Sequence, residues 1–449
     1  MKENFRIKQF IVLGAFFLAL GLMGYIFPRQ DFFSNLTAFG FAFCAYLLLI
    51  QSAQRGDFSL KKGIVVGIVV RVLLLFAIPA LSDDFYRFFF DGHLVLEGYN
   101  PYKLLPKDWI LIHGNEEIPF LKRLEEGMNS PAYYSVYPPL HQLFFGIAAL
   151  SGQSLFWNIF VLRLILIGFE GLNFYLLYRL VKQWNLDEYK VLLYALNPLV
   201  IIELAGNLHF EGMVLTGMLA TLFLLEKGKS KFALASWAAA VGIKLSPLMF
   251  GFLLLRKFQQ LKELKIFFIW GAFFLFLVFG VLLLDDSYLN FWKSFRLYQS
   301  RFEFNASLYY LIRWVSGFFM DYNPIVYVGP FLNALAFLLI FGLSLFHRLK
   351  SGKDLVNAMV WVYLIYLLMQ TVVHPWYIIP AFGLSVLTGN RVFLVWTGLV
   401  FLSYGAYQGG EVEEKWYSLI IQYAFVFLTI VLDWKKCVYR NSAFKTFEP

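Results

Sequence analysis

Two neighbouring carboxylates stand in the run Ser82-Asp83-Asp84-Phe85-Tyr86-Arg87, followed by Asp91-Gly92 and by Gly98-Tyr99-Asn100-Pro101-Tyr102. One carboxylate can take a proton from a hydroxyl, and two can hold a divalent cation, Mg or Mn, through hard oxygen ligands. Ser-Asp-Asp is also good helix-capping chemistry, so solvated acids at a helix start are the competing reading. Arg87 and Asp91 recur at helical spacing on the same short segment, which favours a reaction site. The surroundings are Phe, Leu and Val, where acids are costly to keep without a use.

Four further places carry chemistry-bearing types. Asn207-Leu208-His209-Phe210-Glu211 sets an imidazole and a carboxylate two residues apart between apolar runs, able to complete a site with Asp84. Lys244 precedes Pro247 in an apolar stretch; a cation at membrane depth costs about 2.5–3.5 kcal/mol on insertion scales. It therefore pairs, faces a cavity or snorkels, and an anionic lipid phosphate suits it. His374-Pro375-Trp376-Tyr377 interrupts a helix and offers an imidazole to a phosphate or a proton; an aromatic-belt turn is the plainer reading. Tyr137-Pro138-Pro139-Leu140 punctuates the entry into another helix. Arg163 and Glu170, on one helical face, read as an internal ion pair or packing feature. His93, His113, His141 and His347 give no signal. The sequence contains no Gly-rich phosphate loop, His-x-x-x-His pair or nucleophile elbow, so a soluble nucleotide donor or an ATP motor lacks support.

The elements that must position these residues are membrane-spanning. Of 449 residues, 60% are hydrophobic and only 15% charged, with a mean hydropathy of +0.65; a soluble domain is about a quarter charged. The 20% aromatic content suits a lipid-facing body with interfacial belts. The net charge of +9 comes from Lys and Arg at helix ends, so nucleic acid is not an expected partner, whereas the lipid bilayer is. Cys44 and Cys437 supply no disulfide framework and no metal spacing. The first apolar run, following Lys2, Arg6 and Lys8, reads as an uncleaved anchor.

Runs long enough to span fall at about 9–27, 33–50, 62–80, 157–178, 190–206, 211–226, 266–284, 325–346, 355–373, 391–407 and 416–433. Each is expected to be helical, because lipid cannot satisfy an open backbone. Basic loops, including Arg55-Lys61-Lys62 and Arg256-Lys257-Lys262-Lys265, orient the chain with both termini in the cytoplasm. That threading leaves 81–157, 207–210, 285–324 and 374–376 outside, makes 138–150 re-entrant or interfacial, and breaks 231–255 into a hairpin at Lys244-Leu245-Ser246-Pro247. A single span at 231–255 is the alternative, but it strands four basic residues outside. The 81–157 stretch is expected to carry amphipathic helices lying on the membrane. The fold class is thus all-α, a polytopic bundle forming one domain over residues 1–449.

Asp84-x-x-Arg87 with Asp91-Gly92, Gly98-x-Asn100-Pro101-Tyr102 and Tyr137-Pro138-Pro139-Leu140 resemble the GT-C superfamily of integral-membrane glycosyltransferases. The likeness is strongest to polyprenol-phosphate-mannose-dependent mannosyltransferases of bacteria and to the catalytic subunit of the first GPI mannosyltransferase. Asn207-x-His209-x-Glu211, Lys244-x-x-Pro247 and His374-Pro375-Trp376-Tyr377 continue the match in order, over roughly residues 60–390. The resemblance implies a polyprenyl-phosphate hexose donor, mannose first, a glycan or glycolipid acceptor, and inversion at the anomeric carbon. It implies a catalytic acid in the first extracytoplasmic loop, here Asp84 with Asp83 as support or substitute. The adjacent acids depart from the Asp-x-Asp of some relatives, which leaves the base and the metal dependence open. Arg87, Lys244 and His374 are expected at the donor phosphate. Asp91, Asn100, Tyr102, Tyr137, Asn207, His209, Glu211, Trp376 and Tyr377 are expected around the sugar or acceptor. The expected location is the bacterial inner membrane, with the site on the extracytoplasmic side. A transporter or lipid flippase is the competing function, with Lys244, Arg163 and the broken hairpin lining a pathway.

Overall fold

Apolar runs without water must close their backbone hydrogen bonds within themselves, and here they do so as helices. The computed structural model describes residues 2–114, 118–258, 260–409 and 412–445. The side chains of Lys2, Arg6, Cys437 and Arg440 lie outside what is described. The chain is an all-helical, polytopic integral membrane protein. Seven described helices are long and apolar enough to cross a bilayer: Ile7–Tyr25, Phe32–Gln54, Leu155–Gln183, Leu261–Arg301, Ile325–Phe346, Gly352–Met369 and Trp416–Lys435. The pair Tyr189–Ala195 and Pro198–Gly206, bent by 44°, makes an eighth. Exposed apolar side chains such as Phe41, Phe276, Phe331 and Phe346 line the helix surfaces that meet lipid.

Not every expected span is one α-helix of its run's length. The 62–80 run is helical only over Leu60–Leu73, and 391–407 is Val392–Leu399 continued by a tight 3-10 segment, Val400–Tyr407; the 211–226 run gives the helix Glu211–Glu226 as expected. The 231–255 stretch breaks after Ile243, at Lys244 and Leu245, before a 3-10 turn over Ser246–Phe250.

Arginines inside the bundle take up the carbonyls that these breaks release. Arg163 donates to Ala205 O at 2.5 Å, Gly206 O at 2.9 Å and Leu75 O at 2.9 Å, the first two at the end of a π-helical turn, Ile201–Gly206. Arg163 and Glu170 therefore do not pair with each other, contrary to the ion-pair reading of their spacing. Glu170 instead pairs with Arg71 at 2.8 Å and accepts from Tyr194 Oη at 2.7 Å and Asn173 Nδ2 at 2.8 Å. Arg71 also donates to Ala195 O at 2.8 Å, fixing the Leu60–Leu73 helix to the bend.

Residues 81–157 form four short helices, Asp84–Leu96, Pro106–His113, Pro119–Gly127 and Pro139–Ala149. The first does not lie on the membrane as expected. It is buried nearly all round, with Phe85, Phe88, Phe89, Phe90 and Leu94 sharing a core with Phe145, Leu162 and Phe210. Its polar side is covered as well, with Arg87 and Asp91 buried against protein partners instead of facing solvent. Its neighbour Pro106–His113 does present Leu111 and Ile112 outward.

Arg71→Met leaves the Glu170 charge buried and without its partner. The expected cost is about 3–5 kcal/mol, read as a lower unfolding midpoint of the detergent-solubilised protein, and Arg71→Met with Glu170→Met is expected to lose less. An unchanged midpoint for the single variant contradicts this account.

Candidate active site

The segment entering the Asp84–Leu96 helix is tied on both sides. Leu81 N donates to Asn207 Oδ1 at 3.1 Å, and Asp84 N donates to Ser82 Oγ at 3.3 Å. Arg29 donates to Asp83 Oδ2 at 2.7 Å while lying over the Tyr407 ring, 4.4 Å from its centroid. Asp83 occupies the cap position, but its side chain makes no capping bond; the cap bond comes from Ser82. The two carboxylates therefore part company: Asp83 is held by Arg29, and Asp84 faces a cavity of about 410 Å³. Asp84 Oδ1 accepts from Asn129 Nδ2 at 3.2 Å. Its place in the first helical turn suits a negative charge. Burial pushes its carboxyl above the ordinary aspartate value; the Asn129 bond and the Lys244 charge pull against that, and Asp83 adds to it.

The same cavity is lined by Arg87, Tyr137, Glu211, Lys244, His374, Trp376 and Tyr377. Lys244 projects from the helix break before Pro247, pairs with Glu211 and sits 4.5 Å from the Tyr377 ring centroid. His374 stacks with Trp376 at 4.5 Å, and Trp376 with His209 at 3.7 Å. Burial, reinforced by Lys244, brings His374 down to about 3. Its ring is therefore neutral and offers a hydrogen bond, not a charge. Arg87 Nη2, Glu211 Oε2 and His374 Nδ1 are buried without a hydrogen-bond partner, and all three residues line this cavity. Such atoms are costly unless a ligand or water completes them.

Six expected site residues do not line the cavity: Asp83, Asp91, Asn100, Tyr102, Asn207 and His209. Asp91 is fully buried, accepting from Arg87 Nε at 2.7 Å, Ser135 Oγ at 2.7 Å and Gln142 Nε2 at 3.0 Å. It aims Arg87, whose Nη1 donates to Ser130 O at 3.1 Å and Tyr133 O at 2.9 Å. Asn100 Nδ2 donates to Ser287 Oγ at 2.7 Å, Tyr102 Oη to Tyr137 O at 2.6 Å, and Asn290 Nδ2 to Tyr102 O at 3.0 Å. The Ser287 and Asn290 bonds dock the Ser287–Arg301 helix, which brings Phe295, Tyr298 and Gln299 to the cavity wall. Among the described residues, no group of three or more His, Cys, Asp or Glu side chains is disposed to hold a metal ion.

Sequence reasoning missed Asn129, Tyr298 and the stripe Tyr363, Tyr366 and Gln370, all on the wall. That stripe had a signal: polar atoms at helical spacing inside the apolar 355–373 run. It also missed Glu203, a carboxylate within an apolar run, which such cost alone marks out.

The fold and the site thus define an integral membrane protein with a cavity bordered by Asp84, Arg87, Glu211 and Lys244. Residues 29–257, just over half of the chain, match the family of alpha-(1->6)-mannopyranosyltransferase N-terminal domains, and the chain belongs to that family. It is accordingly a member of a mannosyltransferase family, in line with the resemblance of its motifs. The matched segment contains Asp84, Glu211 and Lys244 and stops before His374. No curated protein and no solved structure matches the chain.

A Cβ at Gly92 would lie 2.4 Å from Phe145 O, so the Asp84–Leu96 and Pro139–Ala149 helices touch there through backbone. Gly92→Ala is expected to push the helix carrying Asp84 outward, cost about 1–3 kcal/mol and lower mannosyl transfer at least tenfold. A variant with both stability and transfer of the wild type contradicts that packing.

Proposed function

We propose that the protein transfers mannose from a polyprenyl-phosphate donor to a glycan or glycolipid acceptor outside the cytoplasm, with inversion at the anomeric carbon. The observation that carries this reading is one cavity bordered by Asp84 and by Lys244 and His374. Asp84 takes the proton of an acceptor hydroxyl, and burial makes it a better base than an exposed aspartate. The hydroxyl oxygen forms a bond to the sugar C1 as the C1–O bond to phosphate breaks. The electron pair of that bond leaves on the polyprenyl phosphate.

Negative charge then accumulates on the phosphate, where preorganised cations and donors count most. Lys244, shared with Glu211, and the free Nη2 of Arg87 supply the charge; neutral His374 supplies a hydrogen bond. Glu211 Oε2 and the Tyr137 and Tyr377 side chains on the wall meet sugar and acceptor hydroxyls. Asp83, Asp91, Asn100, Tyr102, Asn207 and His209 act in this reading by holding the wall from behind. No step of this scheme runs through a divalent cation. The positive-inside arrangement of the basic loops supports an extracytoplasmic cavity with both termini cytoplasmic, and the reading takes the membrane to be the bacterial inner membrane. Family membership favours group transfer over the transporter or flippase reading.

Asp84→Asn is expected to lower transfer from labelled polyprenyl-phosphate mannose by about 10²–10⁴-fold; transfer at the wild-type rate refutes the assignment. The base must be ionised and its pKa lies above the ordinary value, so activity falls as pH is lowered. The acid limb of kcat/KM is expected above the usual aspartate range, about 3.9. A profile flat down to pH 4 contradicts it. Treatment with a chelator is expected to leave the rate within twofold, and a loss restored by Mg or Mn would overturn the cation-free scheme.

A further inference from the structure

Glu203 is a fully buried carboxylate inside a bundle facing lipid, and the transfer scheme does not use it. A charge-bearing group there is rare and expensive, and ordinarily has a specific task. It sits in the π-helical turn Ile201–Gly206, a local widening that occurs frequently at functional sites. Glu203 does not line the cavity. Both its oxygens are in use: Oε1 accepts from Tyr404 Oη at 2.6 Å and Oε2 from Asn207 Nδ2 at 3.3 Å. His209 Nε2 lies 3.5 Å from Oε2.

Two of these contacts, Asn207 and His209, lead toward different walls of the cavity. Asn207 Oδ1 receives Leu81 N at 3.1 Å, three residues before Asp84. His209 stacks with Trp376, which stacks with His374. The turn between these two residues holds Leu208 in the left-handed region, φ 65°, a conformation a leucine keeps only under constraint. His209 N donates to Glu203 O at 3.1 Å, so the same residue fixes that turn through its backbone as well.

We propose that Glu203 is a positioning residue that sets the Asp84 segment and the Trp376–His374 stack at their working separation, through Asn207 on one side and His209 on the other. This rests on the transfer reading above. A carboxylate suits the task because its two oxygens accept from a hydroxyl and an amide at once, with the His209 ring beside the second. An amide in its place keeps one acceptor and turns an NH2 toward Asn207 and His209.

The test compares purified Glu203→Gln, Asn207→Ala, the double variant and Tyr404→Phe, each checked for a wild-type elution profile and unfolding midpoint. With polyprenyl-phosphate mannose as donor, Glu203→Gln is expected to lower kcat at least tenfold while the donor KM stays within twofold. The double variant is expected to be no slower than the slower single one, because both changes cut one linkage. If Glu203→Gln does not fold, Tyr404→Phe removes only one bond and is expected to show the same split with a smaller loss. Wild-type kcat, a KM effect alone, or losses that multiply would each overturn the proposal. A wild type that transfers no mannose sinks the functional reading instead. The structure of Glu203→Gln then decides separately: displacement of residues 81–84 and Trp376 supports the positioning role, and their staying in place ends it.

Discussion

In hydrocarbon a charged group has no solvent to fall back on, so the protein itself must complete every charge it buries. That constraint sorts the interior of this molecule. Arg71, Glu170, Arg163, Asp91 and Glu203 have each of their polar side-chain atoms in a hydrogen bond with a neighbour. Among the described residues, the buried side-chain charges left with an unmatched atom are Arg87 and Glu211, and both border the cavity that holds Asp84. His374, neutral and equally unmatched, borders it too, whereas His141 and His209, each with an unmatched ring nitrogen, do not. The satisfied charges hold the bundle together, and the two unmatched ones lie where the proposed donor would bind.

The same constraint explains why the helices are broken where they are. A continuous helix has no carbonyl to spare for Arg163 and no widened turn for Glu203. The π turn at Ile201–Gly206 and the early end of the Leu60–Leu73 helix release carbonyls that Arg163 collects. The chain leaving each break then supplies a site strand: 81–84 with the carboxylates, 207–211 with His209 and Glu211. The interruption at Lys244 does likewise, turning a cation inward where a continuous helix would have spread it toward lipid. Backbone irregularity at membrane depth is tolerated only where protein or a cavity satisfies it, and here both do.

Much of this was legible in the residues. Hydropathy alone specified a helical membrane protein, and the order of short motifs pointed to the family that residues 29–257 match. Of the expected site residues, Asp84, Arg87, Tyr137, Glu211, Lys244, His374, Trp376 and Tyr377 meet in one cavity. What the sequence could not separate was the wall from its supports. Asp91 sits one helical turn from Arg87, and that spacing cannot tell a carboxylate facing substrate from one turned inward to aim a guanidinium. Asp83 and Asp84 are chemically equal neighbours until Arg29, more than fifty residues earlier, takes one of them. The 62–80 helix was drawn too long because apolar composition persists through 74–80 after the helix has ended. Tyr363 and Tyr366 were passed over as membrane aromatics, since their role depends on which face of their helix meets the cavity.

The central claim is that the carboxylate of Asp84 and the phosphate of a lipid-borne donor share one cavity. A cryo-EM structure of the protein in lipid nanodiscs with a non-hydrolysable polyprenyl-phosphonate mannose analogue tests it directly. The account predicts the phosphonate beside Lys244, Arg87 Nη2 and His374, with the sugar C1 between it and Asp84. A phosphonate bound elsewhere, with this cavity empty, would contradict it.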